Sequence, residues 1–320
     1  MKWMKTKGHI AEAVTHFNHA IEDLEIGRSV VEVSRCLFDA MNKIQTEWVI
    51  SENDSEMGEI KAFKSMILKG LNTEDHINFL QSAEIRNFVF FEPQIMNHFT
   101  LKHHQYRPDH EIEPQLVKKA SEEHHNVVNA YNTFLAAQKD EADDLLDYFL
   151  KKPELKERVI KRVSELLYVV RSNIAHGEKT PYGPDLMKKE RDEEVCEVVI
   201  PLQRLLLNLL FDYPDRKLVA YGTLAPGNVN HGELSDIPGS WFDCLVNGRI
   251  DEINGLLFFD WMPSGPPIES RLFTSTMLPD SWYRLDKFEG SVYKRILIPV
   301  IGAIRSQGIF LANIYVAKHH

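Results

Sequence analysis

Glu289 sits in the segment Trp282-Tyr283-Arg284-Leu285-Asp286-Lys287-Phe288-Glu289-Gly290, and Tyr293 and Arg295 follow closely. A carboxylate among aromatic neighbours is a candidate proton carrier, because an apolar surround penalises the anion and moves its pKa towards neutrality. Well upstream, Val219-Ala220-Tyr221-Gly222-Thr223-Leu224-Ala225-Pro226-Gly227 runs from a strand pattern directly into a Gly-rich turn. The backbone N–H groups of such a turn can hold a carboxylate or phosphate, and glycine permits an approach that a Cβ would block. A third set lies in Tyr168-Val169-Val170-Arg171-Ser172-Asn173-Ile174-Ala175-His176-Gly177, where a periodic helical pattern stops at glycine. Arg171 offers paired donors to phosphate oxygens, and His176 titrates near neutrality and can move a proton.

Each set also has a purely structural reading. The Gly-rich turn can be only a turn, and Glu289 can be ion-paired with Arg295 on a fold kept for binding. Arg171 can be paired with an acidic residue, and His176 can be satisfied by a carbonyl at a helix end. Residues 151–171 contain seven basic side chains, including Lys156, Arg158, Lys161 and Arg162, against Glu154, Glu157 and Glu165. That excess suits either a phosphate chain or a solvated helix face. His103, His104, His110, Glu111 and Glu113 lie in a polar connector without rigid partners, so no metal site is assigned to them.

These residues need elements to position them. The chain has 320 residues, enough for two domains. Glycine divides it: 6 of 16 fall within residues 1–214 and 10 after them. Before Pro214 apolar residues recur at helical spacing, as in Ile160, Val163, Leu167 and Val170. Helices are predicted near 9–24, 28–49, 58–70, 73–90, 115–137, 139–151, 154–174 and 186–212, with 101–114 as a connector between helical subdomains. After Pro214 come short β-branched runs at 217–221, 256–259, 296–301 and 310–316, which read as strands. The expected organisation is therefore an all-α region over 1–214 followed by an α+β domain over 215–320.

Composition sets the surroundings. Net charge is −10, from 37 basic and 47 acidic residues, which argues against indiscriminate binding to phosphate backbones. Most of the acidity lies before residue 214. Cys36, Cys196 and Cys244 form neither an even disulfide set nor a CxxC knuckle, which fits a reducing, cytoplasmic setting. No apolar stretch is long enough to span a membrane.

The two C-terminal segments together resemble the gamma-glutamylcyclotransferase-like family, whose members carry a YG(S/T)L turn after the first strand and an LDxFEG..Y.R segment before a later one. The resemblance extends to Gly227, Asn230 and His231 and covers about residues 216–318. It implies a small mixed β-barrel in which the amides of Tyr221, Gly222, Thr223 and Leu224 hold the substrate's carboxylate. Glu289 would act as acid and base, with Gly227 and Tyr293 also shaping the substrate site. The product would be 5-oxoproline, released when the α-amine of a γ-glutamyl compound attacks its own γ-carbonyl. That route calls for no metal and no cofactor, since both reacting groups belong to one molecule. The stretches Phe259-Asp260-Trp261-Met262-Pro263 and Ile268-Glu269-Ser270-Arg271-Leu272 depart from the family's usual pattern. Free γ-glutamyl amino acids, a γ-glutamyl-amine, glutathione and an isopeptide-linked lysine therefore all stay open as substrates.

The helical region, whose motif-bearing part is about 115–212, is similar over about 150–212 to the HEPN family of all-α domains, which carry an R-x(4–6)-H motif at the end of one long helix. The resemblance implies a homodimer whose paired motifs, here Arg171 and His176, face one cleft and cut RNA without metal. It equally allows a dimerising or binding module. Two functions from different classes follow. One is an enzyme that releases 5-oxoproline through Glu289. The other is an endoribonuclease of toxin or defence type in which the C-terminal domain binds a small ligand and regulates Arg171 and His176.

Overall fold

The computed structural model describes residues 7–92, 114–140, 153–175, 186–302 and 309–318. Its helices are α1 (Lys7–Glu25), α2 (Val30–Glu52), α3 (Glu59–Gly70), α4 (Thr73–Gln81), α5 (Ala83–Phe90), α6 (Pro114–Asp140), α7 (Pro153–Ala175), α8 (Leu186–Leu210) and α9 (Leu278–Glu289). Strands are β1 (Lys217–Ala220), β2 (Ser240–Ile253), β3 (Leu256–Trp261), β4 (Pro267–Thr274), β5 (Tyr293–Gly302) and β6 (Ile309–Ala317). Helices thus precede an α+β part, as expected. No described helix is long and apolar enough to cross a membrane. Most of the connector 101–114 and of the helix expected at 139–151 lies outside the described residues.

One expected helix, 73–90, is two. Ser82 has an extended backbone (φ −63°, ψ 151°), and its hydroxyl accepts from the Ile85 amide at 3.2 Å while donating to the Phe79 carbonyl at 2.9 Å. The serine ends one helix and caps the next, which a continuous apolar period hides.

The chain divides into two compact units, His19–Leu209 and a second made of Met1–Asn18 with Leu210–His320. This differs from the expected boundary at 214, because residues far apart in sequence share a core. Phe17 meets Phe211 edge to face at 6.1 Å. The Asn18 side-chain amide donates to the Leu297 carbonyl at 2.8 Å, and its oxygen accepts from the Leu297 amide at 2.9 Å. Asn18 thereby imitates a neighbouring strand along the part of β5 that lacks one.

Within the helical unit, α7 packs against α3 and α6. Its buried stripe of Ile160, Val163, Leu167, Val170 and Ile174 repeats at helical spacing, which is why the sequence period was a reliable guide there. Ser34 and Gln203 tie α2 to α8 through two buried hydrogen bonds of 3.0 Å.

In the strand-rich unit, β2, β4, β1, β6 and β5 are hydrogen-bonded in that order, and β5 returns to β2 through Val246↔Val300, Leu245↔Ile301 and Cys244↔Gly302. The result is a closed five-stranded barrel, with β3 added as an antiparallel partner of β2. β1 and β6 run parallel; the other pairs are antiparallel. Alternation sorts side chains into two layers. Val219, Val246, Leu272, Ile298, Val300, Ile314 and Val316 fill one cluster, with Tyr221 against it. Leu218, Ala220, Leu224, Phe273 and Tyr315 form the other, which receives Leu278, Trp282 and Leu285 from α9. Those three α9 residues are spaced i, i+4, i+7, and burying them fixes the helix's rotation.

Candidate active site

α9 ends at Glu289 because Gly290 follows with φ +71°, a conformation that side chains resist, and the Gly290 amide bonds to the Asp286 carbonyl at 3.1 Å. Glu289 is half-buried, and its pKa is raised to about 7 by burial first and by the charge of Asp286 second. Its position at a helix C-terminus, where carbonyl dipoles disfavour an anion, acts in the same direction. Among the described residues it has no ion pair.

The alternative pairing of Glu289 with Arg295 is not what the structure contains. Arg295 forks onto Asp286 instead, with Nε to Oδ1 at 2.9 Å and Nη2 to Oδ2 at 3.1 Å. The Tyr315 hydroxyl donates to the same Oδ1 at 2.7 Å. Arg295 also gives Nη1 to Asn313 Oδ1 at 3.2 Å and lies over the Trp282 ring at 4.2 Å. Asp286 thus takes the guanidinium, and Glu289 is left without an ion partner among the described residues.

Three tyrosines lie within range of this carboxylate's charge. The charge of Glu289 helps burial to raise the hydroxyl pKa of Tyr221, Tyr293 and Tyr315, so it acts on residues from β6, from β5 and from the turn after β1. Tyr221 and Tyr293 both donate to one acceptor, the Leu257 carbonyl of β3, at 3.3 and 3.0 Å. The Leu257 side chain also lies 3.6 Å from where a Cβ on Gly222 would stand. β3 therefore brings the Gly-rich turn and Tyr293 together.

The turn itself is held by its carbonyls. The Gly222 carbonyl accepts from the Ala225 amide at 3.1 Å and from Asn228 Nδ2 at 2.8 Å. Thr223 accepts twice from Asn230, at its carbonyl from the amide (3.1 Å) and at Oγ1 from Nδ2 (3.0 Å). His231 Nδ1 lies 3.3 Å from the Leu224 carbonyl. Among the described residues the amides of Thr223 and Leu224 have no such partner, so their donors are available to an anion. Gly227 serves the shape of the turn, with φ +84°, and is exposed.

Sequence reasoning missed Leu257, Asn313 and Tyr315, and it left Asp286 without a role. Asn313 and Tyr315, two residues apart on β6, share a face and meet the Arg295–Asp286 pair, a role that showed only once α9 was placed. The Leu257 carbonyl carried no signal, because a main-chain acceptor is independent of side-chain type.

In the helical unit Arg171 is committed. Its Nη1 reaches Glu59 Oε2 at 3.1 Å, and the guanidinium lies 5.2 Å from the centre of the Tyr168 ring. The Tyr168 hydroxyl donates to the same Glu59 oxygen at 2.6 Å, and burial first, with Glu59, pushes its pKa up to about 12. Arg171 thus adopts the ion-paired reading. His176 lies outside the described residues, so its distance from Arg171 is not defined. Arg158, Lys161 and Arg162 are exposed on α7, and Arg162 pairs with Glu165 at 2.9 Å. No group of three or more His, Cys, Asp or Glu side chains among the described residues is arranged to hold a metal ion. No model of a known family matches the chain, and no curated protein or solved structure matches it either.

Proposed function

We propose that the strand-rich unit is a gamma-glutamylcyclotransferase-type catalyst that releases 5-oxoproline from a γ-glutamyl compound. One observation carries this reading: Glu289, with a pKa raised to about 7 and no cation bound to it, shares its surroundings with Tyr221, Tyr293 and the turn that leaves the Thr223 and Leu224 amides open. The turn would take the substrate's α-carboxylate. Glu289 as carboxylate accepts a proton from the α-ammonium, which frees the amine to attack the γ-carbonyl. A C–N bond then closes the ring. Glu289, now a carboxylic acid, returns its proton to the departing nitrogen as the old C–N bond breaks. The ring nitrogen gives up its second proton in the same exchange and the departing nitrogen takes it up, so the products are 5-oxoproline and an ammonium, R–NH3+, and the proton count is unchanged. A group with a pKa near 7 suits both halves, whereas an ordinary carboxylate near 4.3 would hold too few protons for the second.

The test is direct. Purified protein is incubated with γ-glutamyl amino acids, a γ-glutamyl-amine, glutathione and γ-glutamyl-ε-lysine, and 5-oxoproline is measured. Glu289→Gln should reduce turnover on the accepted substrate by at least about a hundredfold. Turnover that survives this substitution would refute the role of Glu289. The helical unit is left outside this proposal, because Arg171 is engaged by Glu59 and nothing in the described residues favours RNA over a structural role.

A further inference from the structure

Where the amides of Thr223 and Leu224 point is set by residues a short way downstream. In a planar trans peptide the carbonyl and the amide that follows it point in opposite directions, so holding one aims the other. The Gly222 carbonyl is held by Asn228 Nδ2 at 2.8 Å and by the Ala225 amide at 3.1 Å, and it shares its peptide with the Thr223 amide. The Thr223 carbonyl is held by the Asn230 amide at 3.1 Å, and it shares its peptide with the Leu224 amide. Each open donor thus points away from the asparagine that holds its peptide.

The chain curls to make this possible. Three successive turns, with amide-to-carbonyl bonds Ala225 to Gly222, Asn228 to Ala225 and His231 to Asn228, each of 3.1 Å, carry both asparagines back to the turn. Gly227, at φ +84°, takes the conformation within that curl that other residues resist.

Asn230 makes a further contact, from Nδ2 to Thr223 Oγ1 at 3.0 Å. A hydroxyl that accepts from an amide keeps its own proton for another partner, and the bond it receives polarises it into a better donor. Thr223 is exposed, so its hydroxyl meets solvent beside its open amide. Asparagine suits both positions, because it donates without the negative charge with which aspartate would repel an anion.

We propose that Asn228 and Asn230 are positioning residues for anion binding at the turn: Asn228 aims the Thr223 amide, and Asn230 aims the Leu224 amide and primes the Thr223 hydroxyl as a third donor to the ligand's carboxylate. Both act through the turn, and neither touches the ligand. The proposal rests on the reading of this turn as the seat of the substrate's carboxylate.

The experiment uses full-length protein carrying 15N at threonine and leucine, titrated by NMR with two probes. One is 5-oxoproline, which keeps the carboxylate; the other is 5-oxoprolinamide, in which that group is a neutral amide. The Thr223 and Leu224 resonances are identified by their loss in Thr223→Ser and Leu224→Met, and Leu224 then reports on every variant at Thr223. In the wild type 5-oxoproline should move both resonances and bind at least about tenfold more tightly than the amide. Asn228→Ala should weaken 5-oxoproline by about tenfold and the amide by no more than about threefold, since a neutral group gains less from aligned donors. Asn230→Ala should cost about fivefold alone but no more than about twofold in a Thr223→Val background, because its side chain acts through the hydroxyl that valine lacks. Thr223→Ser, which keeps the hydroxyl, should bind 5-oxoproline several times more tightly than Thr223→Val.

Equal losses for the two probes would show that the asparagines only stiffen the turn, and would overturn the proposal. Unchanged binding in Asn228→Ala, or a full further loss when Asn230→Ala is added to Thr223→Val, would do the same. Folding of each variant is checked by far-UV circular dichroism; should Asn228→Ala fail to fold, the cycle of Asn230 and Thr223 variants decides. If 5-oxoproline leaves the wild-type Thr223 and Leu224 amides unmoved, the carboxylate reading of the turn falls and this proposal with it. If it moves them and the variants bind as the wild type does, the positioning role alone falls.

Discussion

Replacing Glu289 by Gln should make the strand-rich unit more resistant to unfolding in mild alkali than in acid, relative to the wild type. Glu289 has a folded pKa of about 7, raised from the ordinary value of 4.5. A raised pKa means the folded state prefers the acid form. The group's favourable contribution is full below about pH 4.5 and is lost as pH rises through about 7. At higher pH the folded protein must hold a half-buried anion that the unfolded chain would leave in water. Glutamine has no such ionisation. The shift alone corresponds to about 3 kcal/mol, and partial exposure reduces this to about 1–2 kcal/mol. The assay is urea unfolding of both proteins at about pH 4.5, 6 and 8.5, in the same buffer and salt. The stability difference, variant minus wild type, should move in the variant's favour by about 1–2 kcal/mol across that window, without a change in slope against denaturant. A difference that is flat from acid to alkali, or that moves the other way, would show that burial does not raise the Glu289 pKa, and the proton-carrier argument would go with it.

Two further substitutions test the scaffold. A Cβ at Gly248 would stand 2.4 Å from the Asp260 carbonyl oxygen and 2.6 Å from the Phe259 ring, so Gly248→Ala should lower stability by about 2 kcal/mol or more in a thermal melt; an unchanged melting temperature would contradict the packing. Asn18→Ala removes both hydrogen bonds to Leu297 and should cost about 1–3 kcal/mol, with faster hydrogen exchange at the Leu297 amide as the direct readout.

Sequence patterns were most informative where one physical signal governed the outcome. Helices α2, α3, α7 and α8 each bury a stripe that repeats at the helical period, and their ends lie within a few residues of the sequence expectation. β1, β3, β5 and β6 were legible as β-branched runs closed by Gly or Pro. β2 and β4 were not recognised as strands, because they carry Asp243, Asn247 and Arg249, or Glu269 and Arg271, on exposed or half-buried positions of the barrel's outside. α9 was likewise not expected as a helix, since its aromatic and charged residues resemble a loop until their i, i+4, i+7 burial is known. Of the site, Glu289, Tyr293 and the Tyr221–Leu224 turn were visible from residue type alone. The pairing of Arg295 with Asp286 rather than Glu289 was not, because both carboxylates lie within a side chain's reach in sequence. Only the rotation of α9, set by Trp282 and Leu285, decides between them.

The exchange of hydrogen bonds between Asn18 and Leu297 makes the barrel's unit discontinuous along the polypeptide. Residues 7–18 leave the ribosome some 280 positions before the strand to which Asn18 bonds. In the interval that amphipathic segment must stay soluble while the 19–209 unit, uninterrupted in sequence, can fold as it emerges. A gene trimmed to start at 215 would therefore yield a barrel whose Leu297 amide and carbonyl have lost their partner on β5, and an expression screen of such fragments should recover more soluble material when the missing stretch is supplied, fused or as a separate peptide.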